Sequence, residues 1–177
     1  MRGDIKTYDY GAFGYPGDDV AVVAAGTCAA KIKAGEPIYI AVNGGNVATA
    51  LATNLPSSAN AASNISGIAT SDSTDTVAAA GTVKYMKLSP LTTYLISPNA
   101  PTSWDTQAEY DALVGKFVLL DLTGTALAGT ATYTILAAHN AAYGCVIEPL
   151  DIKKYPGKVR FSIRPAATTK GWATGIS

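Results

Sequence analysis

The sequence predicts an all-β protein, a small β-barrel or sandwich of about ten short strands with one short helix. Three observations predict this class. Short stretches alternate apolar and polar residues with a period of two, which is typical of strands with one buried face. Glycine, proline and asparagine separate these stretches at short intervals. A single stretch, around residues 104–114, has apolar residues at helical spacing.

Residues 27–51 carry the clearest pattern of strands and turns. Apolar residues alternate with polar ones over 28–33 and again over 38–42. The break at 34–37 contains a glycine and a proline, which suit a turn rather than a ladder. The Asn-Gly-Gly-Asn sequence at 43–46 has hairpin chemistry. Two successive hairpins are predicted, and such a meander needs further strands to bury its apolar face.

The rest of the chain supplies further strand candidates. They lie at 20–26, 65–70, 81–88, 91–96, 116–122, 130–136, 145–152 and 158–164. The alternation is most regular in the last of them. There we expect Val159, Phe161 and Ile163 to face the core, while Arg160 and Ser162 face solvent.

The helix predicted at 104–114 has recognisable ends. Ser103 or Asp105 is the expected N-cap, and Gly115 suits the left-handed position that follows a helix. Its apolar stripe includes Tyr110. We expect this helix to cover one opening of a barrel or the edge of a sheet.

The pattern divides the chain into an extended N-terminal arm at 1–19, a β-barrel or sandwich domain at 20–165 and a C-terminal tail at 166–177. The arm has no sustained period, so we expect the domain to fold without it. Whether the arm packs on its own domain or on a partner is left open by the sequence. Aromatic rings bury large areas at low entropic cost. The candidate partner-binding residues are therefore the aromatic side chains of the arm, Tyr8, Tyr10, Phe13 and Tyr15.

Composition excludes several classes of partner. The 13 basic residues balance 13 acidic ones, which argues against a nucleic acid or an anionic membrane as partner. No apolar run is long enough for a transmembrane helix, and the N-terminus lacks a secretory signal pattern, so synthesis in a cytosol is expected. In that setting Cys28 and Cys145 are expected to be buried thiols rather than a disulfide.

No constellation of residues predicts catalysis, a cofactor or a metal. His139 and Cys145 are the types that form a nucleophile and base, but their spacing does not force them to meet and no third residue that would orient them is evident. Asp72 and Asp75 lie in a Ser/Thr-rich loop that lacks the glutamate of a calcium loop, so we interpret it as a solvated turn. The Arg-Gly-Asp tripeptide at 2–4 is too short to be informative. The chain is therefore predicted not to be an enzyme.

Five stretches nevertheless resemble a known family. They are Ala-Ala-Lys-Ile-Lys-Ala-Gly-Glu-Pro-Ile-Tyr-Ile at 29–40, Gly-Ile-Ala-Thr-Ser-Asp at 67–72, Gly-Thr-Val-Lys-Tyr at 81–85, the stretch at 106–116, and Pro-Gly-Lys-Val-Arg at 156–160. The first three resemble the small capsid decoration, or cement, proteins of tailed bacteriophages, and the last two look like phage head proteins. In the decoration proteins a turned-down hairpin precedes a Gly-Ile-Ala strand and a polar loop.

The resemblance implies a structural virion protein that is made in the bacterial cytoplasm and resides on the capsid surface. It would bind the outside of the phage head as a homo-oligomer, a dimer or trimer, and stabilise contacts between major capsid protein subunits. A head-fibre or tail base protein is the alternative within the same class. A carrier-type or carbohydrate-binding β-module is the alternative from another class. For the carrier, Lys87 falls inside a predicted strand rather than at an exposed hairpin tip, and this favours a structural lysine.

Overall fold

The computed structural model describes residues 5–11, 14–25, 31–40, 47–49, 65–89, 91–99, 104–123, 132–139 and 144–163. These residues confirm the all-β class, because their strands pair antiparallel in two sheets and are joined by one short helix. In chain order the elements are β1 (Lys6–Asp9), β2 (Asp19–Val23), β3 (Pro37–Ile40), β4 (Val47–Thr49), β5 (Gly67–Ala69), β6 (Gly81–Lys87), β7 (Thr93–Ile96), α1 (Gln107–Asp111), β8 (Phe117–Thr123), β9 (Thr132–His139), β10 (Cys145–Ile147) and β11 (Val159–Ile163).

The larger sheet has six strands in the order β1-β7-β11-β10-β8-β9. Tyr94, Phe161 and Ile147 are cross-strand neighbours on its inner face. The apolar residues of this face pack with the helix and with part of the second sheet. This main cluster consists of Ile5, Ile65, Ile68, Met86, Tyr94, Ile96, Trp104, Tyr110, Val118, Leu120, Tyr133, Ile135, Cys145, Ile147, Leu150, Val159, Phe161 and Ile163.

The smaller sheet has five strands in the order β2-β6-β5-β3-β4. Its two edge strands, β2 and β4, also contact each other, so the sheet curls towards a barrel. The interior of the curl holds a second core, the barrel cluster, formed by Val23, Ile32, Ile38, Ala69, Val83 and Tyr85. The outer face of the same sheet contributes Ile68 and Met86 to the main cluster. Each face of β5 and β6 therefore packs against a different core.

The first of the two predicted hairpins is wrong over the residues that the structure describes, and residues 28–30 of its first strand lie outside them. Residues 31–33 form no strand, and β3 pairs with β5 on that side instead. The second hairpin is confirmed, since β3 pairs antiparallel with β4 and Ile40 stands opposite Val47. Ile32 is still buried, because it packs into the barrel cluster from outside the ladder.

The polar loop at 70–76 closes the barrel, and the expectation of a solvated turn is wrong for part of it. Ser73 and Asp75 are buried. The Ser73 amide donates to the Ile32 carbonyl over 2.9 Å, and the Ile32 amide donates to Ser73 Oγ over 3.1 Å. Asp72 stays exposed and accepts from Lys33 Nζ over 2.8 Å. The loop is therefore partly buried, at Ser73 and Asp75, where Ser73 forms hydrogen bonds with Ile32.

The predicted helix is present but shorter, with a different cap. Thr106 is the N-cap, and it forms a capping box with Glu109. Hydrogen bonds from Leu113 to Tyr110 and from Lys116 to Leu113 then tighten the chain into turns. Gly115 has φ +81°, as its predicted position requires. Among the described residues there is no helix of the length and apolar character that crossing a membrane requires.

The alternation predicted for β11 is confirmed on one face and incomplete on the other. Val159, Phe161 and Ile163 are buried, as expected. Ser162 is buried as well, and its hydroxyl donates to Glu148 Oε1 over 2.6 Å. A serine can be buried on the second face of a central strand when a neighbouring side chain accepts its hydrogen bond.

The segment predicted as an arm packs on its own domain over the residues described. β1 is the edge strand of the larger sheet and pairs with β7. Ile5 is buried in the main cluster, which the absence of a periodic pattern did not indicate. The chain from 14 to 18 then leads without regular structure into β2. The C-terminal tail at 166–177 lies outside the described residues.

Candidate functional site

The candidate site lies on the outer face of the larger sheet, at its edge strand β1. Thr7 stands opposite Tyr94 and Asp9 opposite Thr93, so the register shifts and Tyr8 is the extra residue of a bulge. A bulge turns a side chain away from the direction that regular pairing would give it. Tyr8 is 37% exposed, and its ring lies against Arg160 of β11.

Arg160 contacts three parts of this surface: the Tyr8 ring, Thr93 of β7 and the main chain at Pro149. Its guanidinium carbon lies 4.4 Å from the centroid of the Tyr8 ring, a cation–π contact. Its Nε donates to Thr93 Oγ1 over 3.1 Å, and its Nη1 donates to the Pro149 carbonyl over 3.1 Å. The charge is therefore directed into the protein, between the sheet and the turn that follows β10.

Tyr155 completes the aromatic contact from the other side. Its ring meets the Tyr8 ring edge-on, with 5.4 Å between the centroids. The turn at 151–158 places it there, because the Tyr155 amide donates to the Asp151 carbonyl over 3.1 Å. The Lys154 ammonium lies 5.5 Å from the centroid of the Tyr155 ring.

A shallow cleft of about 410 Å³, largely open to solvent, lies beside Tyr8. Its lining comes from β1, from α1 and from the residues that follow β10, namely Tyr8, Gln107, Asp111, Pro149, Leu150 and Asp151. The lining combines an aromatic ring, two apolar side chains, one amide and two carboxylates. Such a mixture of apolar walls and a few polar groups is typical of small binding sites.

Gln107 fixes the wall of the cleft. Its Nε2 donates to Asp111 Oδ1 over 2.7 Å and to the Leu150 carbonyl over 3.0 Å. Its Oε1 accepts from the Ile152 amide over 3.2 Å. One side chain thus ties the helix to the segment after β10.

In each carboxylate of the cleft, one oxygen accepts hydrogen bonds from other groups of the protein. Asp111 Oδ1 accepts from Gln107, and Asp151 Oδ1 accepts from the amides of Lys153 and Lys154 over 3.0 and 3.4 Å. Within the described part of the chain, the Oδ2 atoms of Asp111 and Asp151 have no hydrogen-bond or ion-pair partner. Both side chains are therefore oriented and still able to accept from a ligand.

No protein-family model, curated protein or solved structure matches this chain. In the ranges that the structure describes, no group of three or more histidine, cysteine, aspartate or glutamate side chains is placed to hold a metal ion.

The other predicted partner-binding residues form a second group. The Tyr10 and Tyr15 rings meet edge-on, with 5.0 Å between their centroids. Tyr10 is half-buried against the main cluster, whereas Tyr15 is 50% exposed. The Tyr15 hydroxyl donates to Asp18, and this hydrogen bond raises the pKa of Tyr15 to about 12. Phe13 lies outside the described residues.

His139 and Cys145 stand on opposite sides of β8, since both are register partners of Val118. A strand therefore separates their main chains. Cys145 is a free, fully buried thiol, and burial raises its pKa to about 12. A buried thiol of this kind acts as a small apolar side chain. Cys28 lies outside the described residues.

The sequence indicated Tyr8 but none of its partners. Arg160 is on the solvent face of its strand, as the alternation predicts, yet nothing in the pattern connects it with residue 8. The cleft residues Gln107, Asp111 and Asp151 belong to segments far apart in the chain. An acidic residue that caps a turn, as Asp151 does, looks the same in sequence whether or not a cleft lies beside it.

Proposed function

We propose that this chain is a structural virion protein that binds the outer surface of a phage head and stabilises contacts between major capsid protein subunits. The observation that supports the proposal is that three stretches of the resemblance, separated in the sequence, lie side by side in the fold. The stretches at 29–40, 67–72 and 81–85 resemble decoration proteins, and they include β3, β5 and the start of β6, which are neighbours in the curled sheet. A resemblance spread along the sequence thus falls within one compact unit of the fold.

The two later stretches of the resemblance also meet. Tyr110 belongs to 106–116 and Arg160 to 156–160. The Arg160 amide donates to the Tyr110 hydroxyl over 3.0 Å, and that hydroxyl donates to the Glu148 carbonyl over 2.9 Å. This contact supports reading the two stretches as one structural unit next to the candidate site.

The geometry around Lys87 favours this proposal over a carrier module. Lys87 is the last residue of β6 and stands opposite Gly67 in the ladder. Its ammonium lies 2.5 Å from an Asp19 carboxylate oxygen. Carrier lysines sit at an exposed hairpin tip, where an enzyme reaches them. Lys87 instead joins β6 to β2 at the rim of the barrel.

The attachment surface in this proposal includes the exposed tyrosines of the N-terminal segment. Tyr8 and Tyr15 present partly exposed rings, and Tyr8 lies in β1, which pairs with β7 of the chain's own sheet. Binding through an ordered segment avoids much of the backbone entropy that a free arm would lose, roughly 1–2 kcal/mol per residue. The partner is the major capsid protein, and the chain acts as a dimer or trimer on the head.

The test is to locate the chain on particles. Virions of the phage that encodes it are purified on a density gradient, labelled with gold-conjugated antibody against the chain and imaged, and the chain is quantified against the major capsid protein. We expect label on the head and a fixed ratio to the capsid protein. Tyr15→Ala should lower that ratio, whereas Val77→Ala, which truncates a side chain 62% exposed elsewhere on the surface, should not.

Three outcomes would overturn the proposal. Absence of the chain from purified virions would exclude a structural role. Label confined to the tail would favour a tail base protein. An intact mass that includes biotin or lipoate on Lys87 would establish the carrier alternative.

A further inference from the structure

We propose that two copies of this chain associate by pairing their β2 strands antiparallel, across a two-fold axis at Ala21. β2 ends the smaller sheet, and within the described residues its one ladder partner is β6. The inference goes beyond the virion function proposed above and does not depend on it. It rests on the unpaired edge of β2, on its exposed apolar face and on a strand sequence that complements itself.

The side of β2 that faces away from β6, the β2 edge, has unpaired main-chain groups. The ladder from Asp19 to Val23 is regular, so alternate N–H and C=O groups point away from β6. Among the described residues these groups have no hydrogen-bond partner. β4 approaches β2 without pairing with it, and its three residues are fewer than the five of β2. The β2 edge therefore keeps donors and acceptors for another strand.

β2 lacks the features that protect β1, the edge strand of the larger sheet. β1 contains Lys6 and a bulge at Tyr8, and both discourage pairing with a foreign strand. β2 has no lysine, arginine or proline, and its register with β6 contains no bulge. Its single charged residue, Asp19, is already paired with Lys87 of β6. An edge without such protection is where a sheet accepts another strand.

The outward face of β2 is apolar. Val20 and Val22 are 63% and 56% exposed. Both point away from the barrel cluster, because the intervening Ala21 packs against that cluster. In a two-fold pair centred on Ala21, Val20 of each copy lies opposite Val22 of the other, and these side chains form one continuous strip. Pairs of β-branched side chains across antiparallel strands stabilise a sheet.

The same pairing places no like charges opposite each other. Asp19 lies opposite Val23 of the second copy. Lys84 is the β6 neighbour of Val20, and Thr82 is the β6 neighbour of Val22. The Lys84 side chains of the two copies therefore lie at diagonally opposite corners of the valine strip. A two-fold interface requires a surface that complements itself, and β2 meets this requirement.

The test uses charged variants of the two valines in the full-length chain. Val20→Lys with Val22→Lys makes one variant, and Val20→Glu with Val22→Glu makes the other. Size-exclusion chromatography with light scattering measures the mass of each chain between roughly 10 µM and 1 mM. We expect the original chain to dimerise in this range. The dissociation constant of each variant should rise roughly tenfold or more, because like charges then lie opposite each other.

Mixing the two variants tests whether the partner is a second copy. An equimolar mixture should recover dimers, because lysines of one chain then lie opposite glutamates of the other. Native mass spectrometry should identify these dimers as heterodimers. Hydrogen exchange gives an independent readout, since alternate amides of residues 19–23 should exchange more slowly at high than at low concentration of the original chain.

Phe117→Lys is the matched control. It places a lysine at an exposed apolar residue of a strand in the larger sheet, and it should leave the dimer unchanged. Far-ultraviolet circular dichroism checks that every variant is folded. The exposure of both valines favours this, since substitutions at exposed positions usually change stability little.

The proposal is overturned if the original chain stays monomeric throughout, if both charged variants keep the dimer, or if the mixture recovers none. A monomeric chain whose charged variants lose occupancy on particles would also overturn it, in favour of a capsid strand that pairs with β2. Failure of the virion function gives a different result. A chain that dimerises through β2 but is absent from virions would disprove the virion function alone, whereas a monomer found on heads would disprove this interface alone.

Discussion

At the scale of single residues, the Tyr110 hydroxyl bridges the main chains of two strands just beyond the end of β10. Pro149 turns the chain away from β11, and the Tyr110 hydroxyl inserts between the Arg160 amide and the Glu148 carbonyl. A buried amide that loses its acceptor bears the full cost of desolvation. The tyrosine is therefore required for its oxygen as much as for its ring.

Tyr110→Phe should lower the free energy of unfolding by about 1–3 kcal/mol, because the Arg160 amide would keep no acceptor. Tyr94→Phe is the matched control. Tyr94 is also fully buried, but its hydroxyl has no hydrogen-bond partner among the described residues. Its removal should change stability by less than about 0.5 kcal/mol or raise it. Urea unfolding of both variants measures the difference, and equal losses would contradict the role given to the Tyr110 hydroxyl.

At the scale of elements, β1 is an edge strand that also carries a core residue. β1 has only four residues, and three of them have register partners in β7, because Tyr8 is the extra residue of the bulge. Its anchoring therefore depends on side chains. Ile5 packs into the main cluster, and its amide donates to the Gly35 carbonyl over 3.2 Å, which links β1 to the turn before β3.

Ile5→Ala should destabilise the fold by about 2–5 kcal/mol, since it removes a buried branched side chain from a packed core. Val20→Ala is the control, because Val20 is a β-branched strand residue that is 63% exposed, and it should cost less than about 1 kcal/mol. Thermal unfolding followed by circular dichroism measures both. An Ile5→Ala variant as stable as the control would show that the segment at 1–19 is dispensable, as its lack of periodicity indicated.

At the scale of the whole molecule, the two cores share two strands. β5 and β6 place Ile68 and Met86 in the main cluster, and the same strands place Ala69 and Tyr85 in the barrel cluster. If these two strands separate, both clusters lose buried residues. We therefore expect the two clusters to unfold in a single transition.

Ile38→Ala, a substitution in the barrel cluster, tests this coupling. It should lower stability by about 2–5 kcal/mol. Trp104 lies in the main cluster and reports on the other core, provided that Trp172 is first replaced by phenylalanine. The midpoint of Trp104 fluorescence should move with that of the far-ultraviolet circular dichroism. A fluorescence midpoint that stays in place would show that the two cores unfold separately.

The sequence by itself determined the all-β class and the direction of many side chains. Val159, Phe161 and Ile163 face the core because a strand has a period of two, and this period is a property of the local backbone. Gly115 is left-handed because the chain turns sharply after the helix, which again is local. The aromatic composition of the N-terminal segment predicted partner-binding residues that include Tyr8, and this stays a prediction.

Only the tertiary structure decided which strands are neighbours and what lies beside Tyr8. Whether β3 pairs with residues 28–33 or with β5 depends on packing against two cores, and alternation fits either choice equally. Ser162 and Ser73 are buried where residues distant in sequence, Glu148 and Ile32, form hydrogen bonds with their hydroxyls. The cleft joins residues about 140 positions apart in the chain, Tyr8 and Asp151. A local period specifies the face of a strand, but the identity of the partner depends on long-range packing.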